Sequence, residues 1–237
     1  MLFRSRTLFF GTEQVTSINQ NPIVAVFNSD SQQLIWCNNN YEIAGADGRA
    51  IGALHAQVAT TSSTDTTAND TNDEVLYVVF TIDGTQGTSA EDFRRFTTNG
   101  WIPSYGNGGG PKVSVVTQIN ITTGAPITGT FLRSQLLSNG RTNSLIVTQM
   151  SYERNCNVTT TTSGSSIDAS LFQLRVQAEA YYLPMSLNGR TPLSESDCLP
   201  DTNSPFNYTV TLPPSLNVAY TADCRTIDST LPSTTTC

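Results

Sequence analysis

Two stretches of this chain follow the same script. Pro22 opens the apolar run Ile23-Val24-Ala25-Val26-Phe27, and Pro111 opens Lys112-Val113-Ser114-Val115-Val116. Asp47-Gly48-Arg49 follows the first and Asn139-Gly140-Arg141 the second. A Gln stands nine residues beyond each of those Gly residues, at Gln57 and Gln149, inside a further apolar run. Each copy then crosses a Thr-rich loop and ends in Leu76-Tyr77-Val78-Val79-Phe80 or Leu171-Phe172-Gln173-Leu174. The offset is 89 residues at the first run and 95 at the last. Such self-similarity constrains the architecture before any motif is read, because repeated units bury their apolar faces against one another.

The units read as strands. Val113, Val115, Thr117, Ile119 and Ile121 alternate with Ser114, Val116, Gln118 and Asn120, the period of a β-strand. The spacing predicts strands over 113–121, 130–136, 144–152 and 171–182, with Asn139-Gly140 at a tight turn that requires positive φ. The first copy predicts 23–28, 33–38, 50–59 and 75–82, and a third begins at 206–211 with a return over 216–220. Four antiparallel strands in sequence make a meander. The chain therefore divides into a first four-stranded repeat over 1–110, a second over 111–205, and a partial third repeat or tail over 206–237. The fold class is all-β: repeated meanders closing as a β-propeller-like fragment or as a β-sandwich. One short helix is expected over Ala90–Phe96, capped by Ser89.

Composition removes several functions. Ser and Thr supply 59 of 237 residues, and 35 are Thr, a β-branched residue suited to a solvated strand face. Only 13% of residues are charged, against about 25% in an average domain. There is one Lys, Lys112, and the formal charge is −7, so no basic patch exists to follow a nucleic-acid backbone. No apolar run approaches the ~18 residues of a membrane span. The start, Met1 to Phe10, lacks the apolar length and small-residue cleavage site of a signal peptide, and reads as a truncated start or a first strand. Cys37, Cys156, Cys198, Cys224 and Cys237 are too widely spaced for a zinc or redox motif. In an exported protein they would form disulfides, with Cys198–Cys224 the preferred pair and one thiol left over.

The connection over 83–110 is long for a structureless link and is expected to be functional or ordered by its own packing. Leu76 to Gly87, Asp92-Phe93-Arg94-Arg95, the run from Ser104 through Gly110-Pro111-Lys112-Val113, and Leu137 to Asn143 together resemble exported β-repeat, propeller-like proteins of cyanobacterial type. The resemblance spans roughly residues 75–150 and implies export without assigning an activity.

Candidate sites are few. Trp101 and Tyr105, beside a Gly-rich stretch, are the aromatic faces best suited to a sugar ring or a protein partner. Glu91 and Asp92 are adjacent, a poor arrangement for paired carboxylate chemistry, so Asp92 is expected to pin the loop through Arg95, with Arg94 beside it. Asp65, Asp70, Asp73 and Glu74 offer hard oxygen ligands that would take calcium, but the spacing fits no calcium loop and reads first as a solvated charge run. His55, the sole His, has no nucleophile motif near it and reads as strand filling. No other cofactor is implied. These readings predict a non-enzymatic extracellular or cell-surface protein, structural or adhesive, assembling with itself or binding a surface glycan through loops and sheet edges. The alternative is a lectin or glycan-active enzyme with its site in residues 83–110.

Overall fold

The computed structural model describes residues 2–3, 6–17, 19–43, 45, 47–58, 73–83, 87–107, 113–142, 145–154, 172–198 and 205–224. Three four-stranded antiparallel sheets, each a simple meander, account for just over half of them. The first sheet orders β1 (Leu2–Phe3), β2 (Arg6–Thr16), β3 (Asn19–Asn28) and β4 (Leu34–Asn38). The middle sheet orders β5 (Gly48–Val58), β6 (Asp73–Ile82), β7 (Val113–Asn120) and β8 (Pro126–Leu132). After β9 (Ser134–Gln135) comes the last sheet, β10 (Leu145–Arg154), β11 (Phe172–Ala180), β13 (Phe206–Leu212) and β14 (Thr221–Asp223). The short β12 (Leu183–Pro184) pairs with β9.

The all-β class and the antiparallel meanders are as expected, but the sheets are cut two strands out of phase with the sequence copies. β3 and β4 close the first sheet, while β5 and β6 open the middle one. Residues 206–212 likewise complete the last sheet instead of opening a new one, and its final strand is 221–223, not 216–220. A period in sequence states how often a unit recurs. It does not state which strands exchange hydrogen bonds, and that choice sets the sheet boundary.

The middle sheet is buried on both faces. Leu76, Val78, Phe80 and Ile82 of β6 join Leu8, Val24, Val26 and Trp36 of the first sheet in one core. Tyr77 and Val79, one residue out of step, join Val147, Val176, Tyr208 and Val210 of the last sheet in a second core. Side chains alternate across a strand, so the continuous apolar run Leu76–Phe80 supplies side chains to both cores. The β7–β8 turn ties the first sheet on. Trp36 donates its indole N–H to Ile121 O at 2.7 Å, and Asn38 donates its side-chain amide to Gly124 O at 2.9 Å. Gly124 sits at φ +72° with the Trp36 ring where a Cβ would lie, so only Gly fits.

Four tyrosines carry their hydroxyls into these cores. Tyr41, Tyr77 and Tyr208 donate to Gly124 O, Pro214 O and Met185 O, and Tyr152 packs edge-on against Tyr77. Burial raises the pKa of all four above the ordinary 10.0. Below pH ~10 these groups are neutral folded or unfolded. Above it the unfolded chain releases protons that the folded chain keeps, so stability falls as pH rises. Alkaline titration is expected to leave at least four of the eight tyrosines un-ionised until the strand circular-dichroism signal is lost. More than four titrating in an intact fold would contradict this placement.

Candidate functional site

The insertion between β6 and β7 leaves the middle sheet and returns to the same hairpin, since Ile82 still pairs with Val113. Its helix is one turn, α1 (Arg94–Thr97), shorter than the expected 90–96. Phe93, not Ser89, is the capping residue, and no side chain caps it. The segment before it is bent by carboxylates. Glu91 Oε2 accepts from the Thr88 amide at 2.8 Å and its hydroxyl at 2.9 Å, and the backbone bond leads in holding the Glu91 pKa below its usual value. Asp92, fully buried, accepts the Arg94 amide at 2.8 Å.

Asp92 pairs with Arg94 and not with Arg95. Arg94 Nε lies 2.9 and 2.8 Å from the two carboxylate oxygens and Nη2 lies 2.7 Å from Oδ2, a forked, charge-assisted contact. Two residues of separation let the guanidinium fold back over its own turn. The bond to Asp92 raises the Arg94 pKa, and the guanidinium rests over the Tyr105 ring at 5.1 Å. Arg95 instead donates to Asn40 O, Ala90 O and Glu91 O and stacks on Phe96, with burial lowering its pKa. It fastens the insertion to residue 40, in the link between the first and middle sheets.

The rest of the insertion is sewn down. Trp101 donates its amide to Leu216 O and its indole N–H to Leu187 O, at 2.8 and 2.7 Å. Ile102 donates to Thr130 Oγ1 and accepts from the Phe131 amide, both at 2.9 Å. Trp101 is half-buried and touches both cores. Tyr105 packs edge-on against Phe131, and its carbonyl accepts the Thr142 hydroxyl. Trp101, Tyr105, Arg94, Arg95 and Asp92 are thus brought together on one insertion, with both aromatic faces already in contact with protein. Asn139-Gly140 and Asn188-Gly189 form turns with positive φ, as their chemistry requires.

Other expected sites stay apart. Asp73 and Glu74 open β6, while Asp65 and Asp70 lie outside the described residues. Among the described residues no group of three or more His, Cys, Asp or Glu could hold a metal. No helix among them is long and apolar enough to cross a membrane. His55 sits in β5, half-buried, opposite Leu76. Cys198 and Cys224 form the preferred disulfide, with Cα atoms 5.1 Å apart, Cys37 is a free exposed thiol, and Cys156 and Cys237 lie outside the described residues.

One surface escaped the sequence reading. The outer face of the first sheet carries a trough of about 650 Å³. Its rows run Phe9–Ala25–Cys37 and Thr7–Phe27–Leu34 across β2, β3 and β4. Phe9 and Leu34 stand 58% and 53% exposed, with buried Ala25 between the rows' larger side chains. Phe9 and Phe27 meet edge-on at 5.3 Å. No residue lining the trough is charged, on a chain of formal charge −7. The signal was present in sequence: Ile23 to Phe27 is apolar at every position, as Leu76 to Phe80 is, and a strand apolar on both faces calls for cover on both. No family model, no curated protein and no solved structure matches this chain.

Proposed function

We propose that this is a non-enzymatic structural or adhesive protein of the extracellular space or cell surface, working by association through sheet surfaces. The observation that carries the reading is the uncharged apolar trough on the outer face of the first sheet. A contiguous exposed apolar surface on a folded protein marks an interaction site more often than scattered exposed residues do. Support for an oxidising location comes from the buried Cys198–Cys224 disulfide.

Glycan binding or glycan chemistry through residues 83–110 is the less supported reading. The Trp101 indole N–H is already donated, Tyr105 is packed between Phe131 and Arg94, and the Asp92 carboxylate is held by Arg94. Retention on a phenyl-substituted matrix tests the proposal. Phe9→Ser is expected to elute clearly earlier than wild type while keeping its circular-dichroism spectrum. Unchanged retention, or glycan-array binding that is lost in Trp101→Ala, would move the functional surface to the insertion.

A further inference from the structure

The two end faces of the sheet stack differ in chemistry. On the last sheet, β11 and β13 alternate strictly: Leu174, Val176, Ala178, Tyr208 and Val210 turn inward. Gln173, Arg175, Gln177, Glu179, Asn207 and Thr209 fall on the opposite face. That face is finished by solvent. The outer face of the first sheet is not, since β3 is apolar in both registers and only its Val24 and Val26 side is covered.

We infer that a second copy of this chain covers that face, in a symmetric dimer that lays two first sheets against each other. The inference rests on the reading above that association is this protein's work. Three arguments select this occupant. First, symmetry: the first sheet of one copy on the last sheet of the next would bury Arg175 and Glu179 against Phe9 and Leu34, which costs desolvation without return. Contact between like faces uses the same patch twice and closes after two subunits. Second, charge: two acidic chains repel, and the trough lining is free of charge, so this face is where they approach without opposition. Third, size: at ~4.8 Å between strands and ~3.4 Å per residue, β2, β3 and β4 present a face of roughly 15 by 30 Å, with Glu13 at its far end, outside the uncharged trough. Two such faces would bury on the order of 1,000 Å², at the lower limit of specific interfaces, which fits a reversible dimer. The stack then runs through six sheets, ending in a polar face on each side.

Sedimentation equilibrium over a wide range of protein concentration tests this, with alkylation of Cys37 followed by peptide mass spectrometry as a second readout. Cys37 lies in the same row as Phe9 and Ala25. The expected result is a monomer–dimer equilibrium, with Cys37 labelling slowed several-fold at high concentration. Leu34→Asp, at an exposed position, is expected to weaken the dimer at least tenfold and restore labelling. A monomer at every concentration, open-ended growth, or a dimer indifferent to Leu34→Asp would each overturn the inference. A strict monomer whose retention on the phenyl matrix still depends on Phe9 would overturn it while leaving the proposed function standing.

Discussion

Replacing Asp92 with Ala is expected to cost about 3 kcal/mol and to release the insertion from the middle sheet. The Asp92 side chain is fully buried, and that of Arg94 is 25% exposed. Removing one member of a buried, hydrogen-bonded ion pair strands its partner, at a typical cost of about 3–5 kcal/mol. The lower end applies because Arg94 keeps some contact with water and keeps its bond to Gly87 O. The loss should spread. The Arg94 amide loses its acceptor, Arg94 loses its position over Tyr105, and Arg95 no longer meets Asn40 from a fixed turn. Urea melts of wild type and Asp92→Ala, with limited proteolysis across residues 87–107, measure both effects. Arg94→Ala should do comparable harm and Arg95→Ala less. Equal protease resistance in Asp92→Ala and wild type would contradict the assigned role.

The second large effect is expected at the disulfide. Cys198 and Cys224 are separated by 26 residues and are both buried against the second core. Closing a loop of that length restricts the unfolded chain by about 3.5 kcal/mol in the chain-entropy treatment. The bond also anchors the end of β14, a three-residue strand at the edge of the last sheet. Cys198→Ser with Cys224→Ser is therefore expected to lower stability by about 3 kcal/mol and to speed amide exchange at 221–223 before the rest of the sheet. Identical urea midpoints for the double variant and wild type would contradict this.

Strand positions were legible where period and turn chemistry agree. Val113–Asn120, Leu145–Arg154 and the Asn139-Gly140 turn follow from alternation and positive φ alone. The pairing of Cys198 with Cys224 was also within reach. The cut between sheets was not, because β4 and β5 are neighbours in sequence exactly as β5 and β6 are, and no local pattern says which neighbours exchange hydrogen bonds. The partner of Asp92 was misjudged for a similar reason. Helical spacing favours Arg95, but the turn before α1 is not helical, and it brings Arg94 back onto the carboxylate. The segment 83–110 reads in sequence as either functional or ordered by its own packing, and its large rings are packed: Leu187 O holds the Trp101 indole and Phe131 the Tyr105 ring. The open face around Phe9 and Phe27 was not legible, because an apolar run does not say which of its two sides the rest of the chain covers.

The proposed association is decided by which surface it covers. Hydroxyl-radical footprinting of the associated and dissociated states, resolved by residue, compares the two candidate surfaces in one sample. Protection on association is expected at Phe9, Phe27 and Leu34, with Trp101 and Tyr105 unchanged. Protection confined to Trp101 and Tyr105, with Phe9 and Leu34 equally oxidised in both states, would contradict it.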